Sequence, residues 1–209
     1  MANKINPSLI ANTQKELDEI FNKVKSYSNV FHVDVMDGKF VKNKSLLFDF
    51  KLPKGKFEYQ THLMVKNPRE WIRKNSNKAF SITFHIESCK DKEVEETIKL
   101  IKSKKKKVGI AINPKTNVKK IAPHLKSIDL VLVMTVTPGK YGSKFIPSTI
   151  KKVKEIRKLN PKMKIGIDGG INDKTIKKVS KLKLDFIVSG SYLQKSKNIK
   201  NAFKVLKGS

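Results

Sequence analysis

The most constraining feature of this 209-residue chain is the repeated alternation of short apolar segments with longer amphipathic ones. Runs rich in Ile, Val, Phe and Leu predict eight strands, at residues 5–9, 30–34, 58–64, 81–85, 108–112, 130–135, 164–168 and 186–189. Most of these runs are continuously apolar, which is typical of parallel strands covered on both faces. Helical spacing predicts helices near residues 13–26, 68–75, 92–103, 118–124, 148–159, 173–181 and 199–206.

Eight strands alternating with helices fit either a closed (β/α)8 barrel or a doubly wound sheet. The polar residues decide for the barrel, because they lie at or just past the strand C-termini, and a barrel gathers those ends into one mouth. They are Ser8, His32, Asp34, His62, Met134, Asp168 and Ser191, counting Met134 for its sulfur. No Pro/Gly/Ser-rich linker interrupts the chain. We therefore predict a single (β/α)8 TIM-barrel domain over residues 1–209, lean for this fold, whose lower limit is about 200 residues.

Helix-start signals are present at two of the predicted helices. Thr13 is a favourable N-cap residue with Glu16 at the capping-box position, and Asp173 is a favourable N-cap residue for the helix over 173–181. The long segment between the second and third predicted strands carries the weakest helical pattern.

The formal charge of +28 at pH 7 raises the possibility of a nucleic-acid partner. Of the 46 basic residues, however, only Arg69, Arg73 and Arg157 are arginine, the residue preferred for bidentate phosphate and base recognition. The lysines are spread along the chain on polar helix positions and are not interleaved with aromatic residues. We interpret them as a solvated coat, with nucleic-acid binding limited to nonspecific electrostatics.

The compartment follows from what the sequence lacks. No apolar run approaches the ~18 residues of a membrane span, and the N-terminus MANKINPSLI has no secretory signal pattern. Cys89 is the single cysteine, so no intrachain disulfide can form. We predict a cytoplasmic protein without a membrane association.

The segment HVDVMDG carries the strongest chemical signal. On a strand, His32, Asp34 and Met36 point to the same face. An imidazole and a carboxylate inside a barrel are unfavourable as core but suitable as metal ligands. His62, again two residues before a methionine, and Asp168 complete a candidate site for Zn, Fe, Mn or Co. A single strand histidine is more often structural, so the prediction depends on all four residues together.

Two further histidines lack this setting. His85 ends the fourth predicted strand and could line the mouth, whereas His124 follows a proline on a polar segment and is expected at the surface.

Glycines follow the last three strands, where backbone amides can converge on an anion. The loops after strands seven and eight are the usual phosphate site of this fold. The glycines are Gly139, Gly142, Gly169, Gly170 and Gly190, the last followed by Ser191. We predict a phosphorylated substrate.

Three of the five methionines, Met36, Met64 and Met134, lie near the predicted mouth. Methionine is commonly a core filler. An apolar, polarizable collar around a charged intermediate is the alternative.

These segments, in this order, resemble the ribulose-phosphate 3-epimerases, (β/α)8 enzymes of pentose phosphate and carbohydrate metabolism. The matching stretches run from Ile5 to Ser191 and are INPSL, HVDVMDGKFVKN, THLMVKNP, ITFHIES, VGIAINPKT, VLVMTVTPG, IGIDGGI and IVSGS. The combination of HVDVMDG, HLMV, MTV-PG and DGGI is highly specific for that family.

The resemblance implies a metal-dependent isomerase that interconverts D-ribulose 5-phosphate and D-xylulose 5-phosphate through an enediolate. It implies one divalent ion held by His32, Asp34, His62 and Asp168, with no organic cofactor. Asp34 would accept the proton and Asp168 would donate one. Substrate contacts would come from Ser8, His62, Gly139, Gly142, Gly169, Gly170, Gly190 and Ser191. We also expect a homo-oligomer.

The loop after the sixth strand departs from the family pattern Asn-Pro-Gly-Phe-Gly-Gly-Gln. It reads Thr137-Pro-Gly-Lys-Tyr-Gly-Ser143, so that Lys140 and Tyr141 replace Phe and Gly. A tyrosine disfavours the positive φ that a glycine permits. Lys42 replaces a customary proline in FVPN. The metal and acid–base positions are intact.

Three other functions compete with this one. A 3-epimerase of a related ketose phosphate, such as allulose 6-phosphate, would use the same metal and acids. The related decarboxylase/aldolase barrels favour D-x-K-x-x-D on strand two, and Met36 stands where their lysine would be. From a different class, a basic nucleic-acid-binding protein on a barrel scaffold has no need of the intact metal ligands.

Overall fold

Eight parallel strands close into a barrel in a computed structural model that describes residues 2–139 and 142–208. The barrel strands are β1 (Ile5–Leu9), β2 (Val30–Asp37), β4 (Glu58–Met64), β5 (Ser81–His85), β6 (Lys107–Ile112), β7 (Leu130–Met134), β8 (Lys164–Asp168) and β9 (Phe186–Ser189). β1 pairs with both β9 and β2, which closes the ring. A two-residue strand, β3 (Lys44–Ser45), pairs antiparallel with the end of β2. The predicted (β/α)8 fold is confirmed.

The α-helices surround the barrel in the described part of the chain. They are α1 (Gln14–Val24), α2 (Pro68–Asn75), α3 (Asp91–Ser103), α4 (Ile150–Leu159), α5 (Ile176–Val179), α6 (Ser191–Lys195) and α7 (Ile199–Lys207). The predicted start of α1 is confirmed, since the Thr13 hydroxyl accepts a hydrogen bond from the Glu16 backbone N–H at 3.2 Å. The Glu16 carboxylate accepts from the N–H of Asn12, not of Thr13. None of the described helices is long and apolar enough to cross a membrane.

One helix prediction was wrong and another was too long. Residues 118–124 form two 3₁₀ turns (Val118–Lys120 and Ala122–His124). An α-helix is disfavoured there because Pro123 has no N–H to donate and its ring would clash with the backbone carbonyl four residues earlier. The helix predicted over 173–181 is the short α5 followed by a 3₁₀ turn (Ser180–Leu182). Asp173 does not cap it, because the Asn172 side chain accepts from the backbone of Lys174 and Thr175 and forms a turn there instead.

The second strand is longer than predicted. β2 continues through Met36 to Asp37, where β3 adds hydrogen bonds that the sequence pattern did not indicate. Asp37 then ends the strand, since one of its carboxylate oxygens accepts from the N–H groups of Lys39 and Phe40. The other accepts from the N–H of Lys66.

Alternate strand residues belong to two different cores. Outward-facing side chains such as Val108 and Ile110 pack in the main core beneath the helices. Inward-facing side chains such as Leu132 and Phe186 fill the barrel beside β7 and β9. Gly166 makes room for Phe186, since a Cβ at that position would lie 2.2 Å from the phenyl ring. The opposite wall, on β1, β2 and β4, is polar, and this asymmetry positions the site.

The lysines coat the helices. Among the described residues, Lys152 is the one buried lysine. This distribution fits the solvated coat that the sequence predicts.

Candidate active site

Strand register brings the polar residues together at the C-terminal end of the barrel. Asp34 on β2 lies opposite His62 on β4, and His32 lies opposite Ser8 on β1. Asp168 is the last residue of β8. Because parallel strands end at the same rim, residues from distant parts of the sequence converge there.

The four predicted ligands form one tight cluster. One ligand atom from each of His32, Asp34, His62 and Asp168 lies within 4.8 Å of all the others. The His62 Nδ1 atom is 2.9 Å from an Asp34 oxygen and 3.5 Å from an Asp168 oxygen. The His32 Nε2 atom is 3.3 Å and 3.8 Å from those carboxylates. Both imidazoles and Asp34 are buried, whereas Asp168 is partly exposed.

The surroundings shift the pKa values of the two carboxyl groups in opposite directions. Burial would raise the pKa of Asp34, but the adjacent His32 and His62 outweigh it and hold that pKa well below its usual range. Burial and the negative Asp34 raise the pKa of Asp168. Burial lowers the pKa of His62. The pKa of His32 is raised, because the nearby carboxylates outweigh the effect of its burial.

The cluster fits a divalent metal ion. Both ring nitrogens of His32 are buried and lack a hydrogen-bond partner among the described residues. A metal bond to Nε2, the nitrogen that faces the two carboxylates, would satisfy one of them. Two imidazoles and two carboxylates form a nitrogen and oxygen donor set suited to Zn, Fe, Mn or Co. The sequence prediction of a metal-binding cluster therefore agrees with the geometry.

A cavity of about 490 Å³ opens above the cluster. Asp34 and Asp168 lie in its wall, whereas His32 and His62 lie beneath its surface. The other predicted substrate-binding residues all line it, and they are Ser8, Gly139, Gly142, Gly169, Gly170, Gly190 and Ser191. Lys140 and Tyr141, in the loop that departs from the family pattern, lie outside the described residues.

The glycine pair after β8 is required by local geometry. Gly169 has φ +114°, and a Cβ there would lie 2.3 Å from the Val136 side chain. Gly170 has φ +66°, and a Cβ would lie 2.8 Å from the Phe145 backbone nitrogen. By contrast, Gly190 has an ordinary negative φ of −112°. The pair keeps the backbone after Asp168 close against the neighbouring loop.

The three methionines line the same cavity. Met36 and Met64 pack with Val41 in a small apolar cluster, and Met134 belongs to the barrel interior. All three are buried, with at most 4% of each residue exposed. They therefore serve both as core and as the apolar wall of the cavity, so that the two interpretations are not exclusive.

The sequence prediction missed a chain of polar side chains behind the four candidate metal ligands. The Nε2 atoms of His62 and His85 are 2.9 Å apart, and His85 Nδ1 is 3.0 Å from a Glu87 oxygen. The signal was present, because His85 and Glu87 repeat the His–x–carboxylate spacing of His32 and Asp34. Lys42, singled out for replacing a proline, lines the cavity.

Fold and site together define a (β/α)8-barrel protein with a candidate metal centre and a substrate cavity at the C-terminal mouth. The solved 3-hexulose-6-phosphate synthase of Salmonella typhimurium shares this fold, with a TM-score of 0.72, 16% identity and coverage of 98% of this chain and 97% of that one. The family model described as "Ribulose-phosphate 3 epimerase family" matches residues 4–194. The chain belongs to the ribulose-phosphate 3-epimerase family.

Relatives from distant organisms support the assignment. The ribulose-phosphate 3-epimerase of Schizosaccharomyces pombe is 35% identical over 196 residues, covering 90% of this chain and 85% of its own. That of Bacillus subtilis is 32% identical over 216 residues, with 99% of each chain covered. The prediction of an isomerase of this family is confirmed.

Proposed function

We propose that this protein inverts C3 of a ketose 5-phosphate and thereby interconverts D-ribulose 5-phosphate and D-xylulose 5-phosphate. The observation that carries the proposal is the convergence of Asp34 and Asp168 on one cavity, above two buried imidazoles. Family membership and the names of the relatives support the choice of sugar. The reaction belongs to pentose phosphate metabolism.

The two carboxyl groups suit opposite proton-transfer roles. Inversion next to a ketone requires removal of a proton from one face of the carbon and return of a proton to the other. A lowered pKa keeps Asp34 ionised, as a proton acceptor must be, and a raised pKa favours a protonated Asp168 that can donate. Groups whose surroundings separate their pKa values in this way divide the acid and base roles.

We assign His32, Asp34, His62 and Asp168 to one divalent ion, with Zn, Fe, Mn and Co all compatible with these donors. When bound, the ion supplies electrostatic stabilisation to the negative oxygens of an enediolate. Proton transfer between carboxyl groups and carbon needs no organic cofactor, and we propose none.

The glycine-lined end of the cavity would hold the substrate phosphate. This end is lined by Gly139, Gly142, Gly190 and Ser191, next to Gly169 and Gly170. Holding the phosphate fixes the distance from that end of the sugar to the two carboxyl groups. Ser8 and the three methionines line the remainder, where the carbon chain would lie.

The test follows conversion of D-ribulose 5-phosphate by purified protein, with D-xylulose 5-phosphate as the measured product. We expect turnover without an added organic cofactor, loss of turnover after chelation and recovery on adding a divalent metal. Full activity in demetallated protein would contradict the metal assignment. Absence of conversion by metal-loaded protein would contradict the assignment of D-ribulose 5-phosphate as the substrate.

The alternative is a 3-epimerase of a related ketose phosphate, whose substrate recognition would differ at the altered loop after β7 and at Lys42 in the cavity wall. Allulose 6-phosphate should be assayed in parallel, since it would use the same carboxyl groups. A higher kcat/KM for allulose 6-phosphate would reassign the substrate and leave the reaction type unchanged.

The quaternary and cellular setting remains part of the proposal. We propose a homo-oligomer that works in the cytoplasm, built from a single barrel domain. Sedimentation of the purified protein would test the assembly.

A further inference from the structure

The polar chain His62–His85–Glu87 lies behind the four candidate metal ligands and is buried except at Glu87, whose side chain is 20% exposed. His85 is fully buried on β5, between the His62 ring on one side and Glu87 on the other. The Phe40 ring packs against it with centroids 4.8 Å apart. The chain therefore runs from an inner end at His62 to an outer end at Glu87, which lies on the 3₁₀ turn Ile86–Ser88 after β5.

The outer end is fixed by donors. One Glu87 oxygen accepts hydrogen bonds from the Asn113 N–H at 2.8 Å and from the Thr116 hydroxyl. The buried Lys152 ammonium holds the same loop by donating to the carbonyls of Asn113 and Thr116. Burial would raise the pKa of Glu87, but the hydrogen bonds from His85, Thr116 and Asn113 outweigh it and bring the pKa to about 2. Glu87 is therefore an acceptor at both oxygens.

When both histidines are neutral, an acceptor at the outer end sets the direction of the two hydrogen bonds in the chain. His85 Nδ1 must carry the hydrogen that faces Glu87, which leaves Nε2 of a neutral His85 with a lone pair. That lone pair accepts from His62 Nε2–H. A neutral His62 protonated at Nε2 then presents the lone pair of Nδ1 to the cluster. The Asp34 oxygen 2.9 Å from Nδ1 is also an acceptor, so in this tautomer a cation between the two atoms would satisfy both.

We propose that Glu87 and His85 are positioning residues that fix the tautomer of His62, so that its Nδ1 atom is available to a divalent metal ion. The inference rests on the proposed metal site and extends it to residues outside the four ligands. Metal-bound histidines commonly donate their second ring N–H to an outer partner, and loss of that partner typically costs about 10–100-fold in metal affinity. Here the outer partner is a second histidine oriented by a carboxylate.

Isosteric variants separate hydrogen-bond direction from packing. In Glu87→Gln, the amide oxygen accepts from the Asn113 N–H, so the amide NH₂ faces His85. The NH₂ group would then donate to His85 and reverse the direction of the hydrogen bonds in the chain. In His85→Gln, the NH₂ group donates to Glu87 and the oxygen accepts from His62, so the direction is kept. His85→Phe removes the acceptor. Glu96→Gln, at an exposed carboxylate paired with Arg69, is the matched control.

The experiment measures the Zn²⁺ dissociation constant of each purified variant by competition with a chelator, together with the thermal midpoint of the metal-free form. We expect Glu87→Gln and His85→Phe to weaken Zn²⁺ binding by about 10–100-fold. We expect His85→Gln and Glu96→Gln to stay near wild type. Equal affinity in all variants, or His85→Gln as weak as His85→Phe, would overturn the inference. If the wild-type protein itself does not bind Zn²⁺ or another divalent metal, the metal assignment under the proposed function fails instead.

Discussion

Asp34 and Asp168 carry the same functional group but occupy different surroundings. Asp34 lies within 3.3 Å of both imidazoles, whereas Asp168 lies farther from them and retains 14% side-chain exposure. Position within the cluster, not residue type, therefore separates their pKa values. At the residue scale, this difference supports the proposed division of base and acid roles between the two aspartates.

Replacement of either aspartate by asparagine removes a proton-transfer group while keeping its volume. We expect Asp34→Asn and Asp168→Asn each to reduce kcat by at least ~10²-fold. Because both are proposed metal ligands, bound metal must be measured with the rates. A variant with full metal content and near wild-type kcat would remove that residue from the proton transfer. Asp49→Asn, at a side chain that is 90% exposed, serves as the control.

The residues of the cluster could be identified from the sequence because their chemistry is unfavourable for ordinary core. Histidine and aspartate on alternate positions of an apolar strand require a partner or a ligand. The spacing of His85 and Glu87 marks them as polar strand-end residues, but it does not reveal their role, which depends on a 2.9 Å contact between His85 and His62 on the neighbouring strand β4. Spacing along one strand reports which face a side chain occupies, but not which neighbour it meets.

At the scale of elements, sequence signals worked where one local interaction dominates. The Thr13 cap is an example, because a single hydroxyl and a nearby N–H determine it. They failed at Asp173, where Asn172 forms the turn instead, and over 118–124, where Pro123 outweighs the helical spacing. The extension of β2 to Asp37 was equally hidden, since it depends on pairing with β3.

The turn that ends β2 makes stability depend on pH. Burial would raise the pKa of Asp37, but hydrogen bonds from Lys66, Phe40 and Lys39 outweigh it and lower that pKa. The ionised form is therefore favoured by folding, and its contribution is present above the unfolded pKa of about 3.9 and is lost as pH falls through the lower folded value.

We expect Asp37→Asn to reduce the free energy of unfolding by about 1–2 kcal/mol at neutral pH, discounted for partial exposure. The difference from wild type should shrink below about pH 4. Denaturant unfolding at several pH values measures it, with the exposed Asp173→Asn as control. A difference independent of pH would show that the carboxylate charge is not involved.

Packing between β8 and β9 offers a second test at this scale. A Cβ on Gly166 would meet the Phe186 ring at 2.2 Å, so Gly166→Ala should cost about 1–3 kcal/mol. Phe186→Leu shortens the obstructing side chain. The loss of unfolding free energy in the double variant should therefore be smaller than the sum of the two single losses, by about 0.5–3 kcal/mol. Unfolding free energies of the four proteins give this coupling, and simple additivity would contradict the packing argument.

At the scale of the whole molecule, a net charge of +28 on a largely lysine surface predicts weak, sequence-independent attraction to polyanions. Binding to duplex DNA should fall steeply with salt and vanish near physiological ionic strength. Filter binding over a salt series, with two unrelated duplexes, measures this. Tight binding at physiological salt with a preference for one duplex would replace the solvated-coat interpretation with a specific site.

The same charge should oppose folding through self-repulsion. Raising ionic strength from ~0.01 M to ~0.15 M shortens the Debye length from about 30 Å to about 8 Å. We therefore expect the thermal midpoint to rise over that range. A midpoint that falls would mean that stabilising ion pairs outweigh the repulsion.

The closure of the ring through β1 has a consequence for the order of assembly. His32, Asp34 and His62 are present once the first third of the chain exists, but Asp168 joins them from β8. The edge of β1 stays unpaired until β9, the last strand, reaches it. An ion held by all four side chains would therefore bind tightly only to the complete ring. Its occupancy would report the final step of folding, and its binding energy would resist opening of the entire barrel and not local fraying.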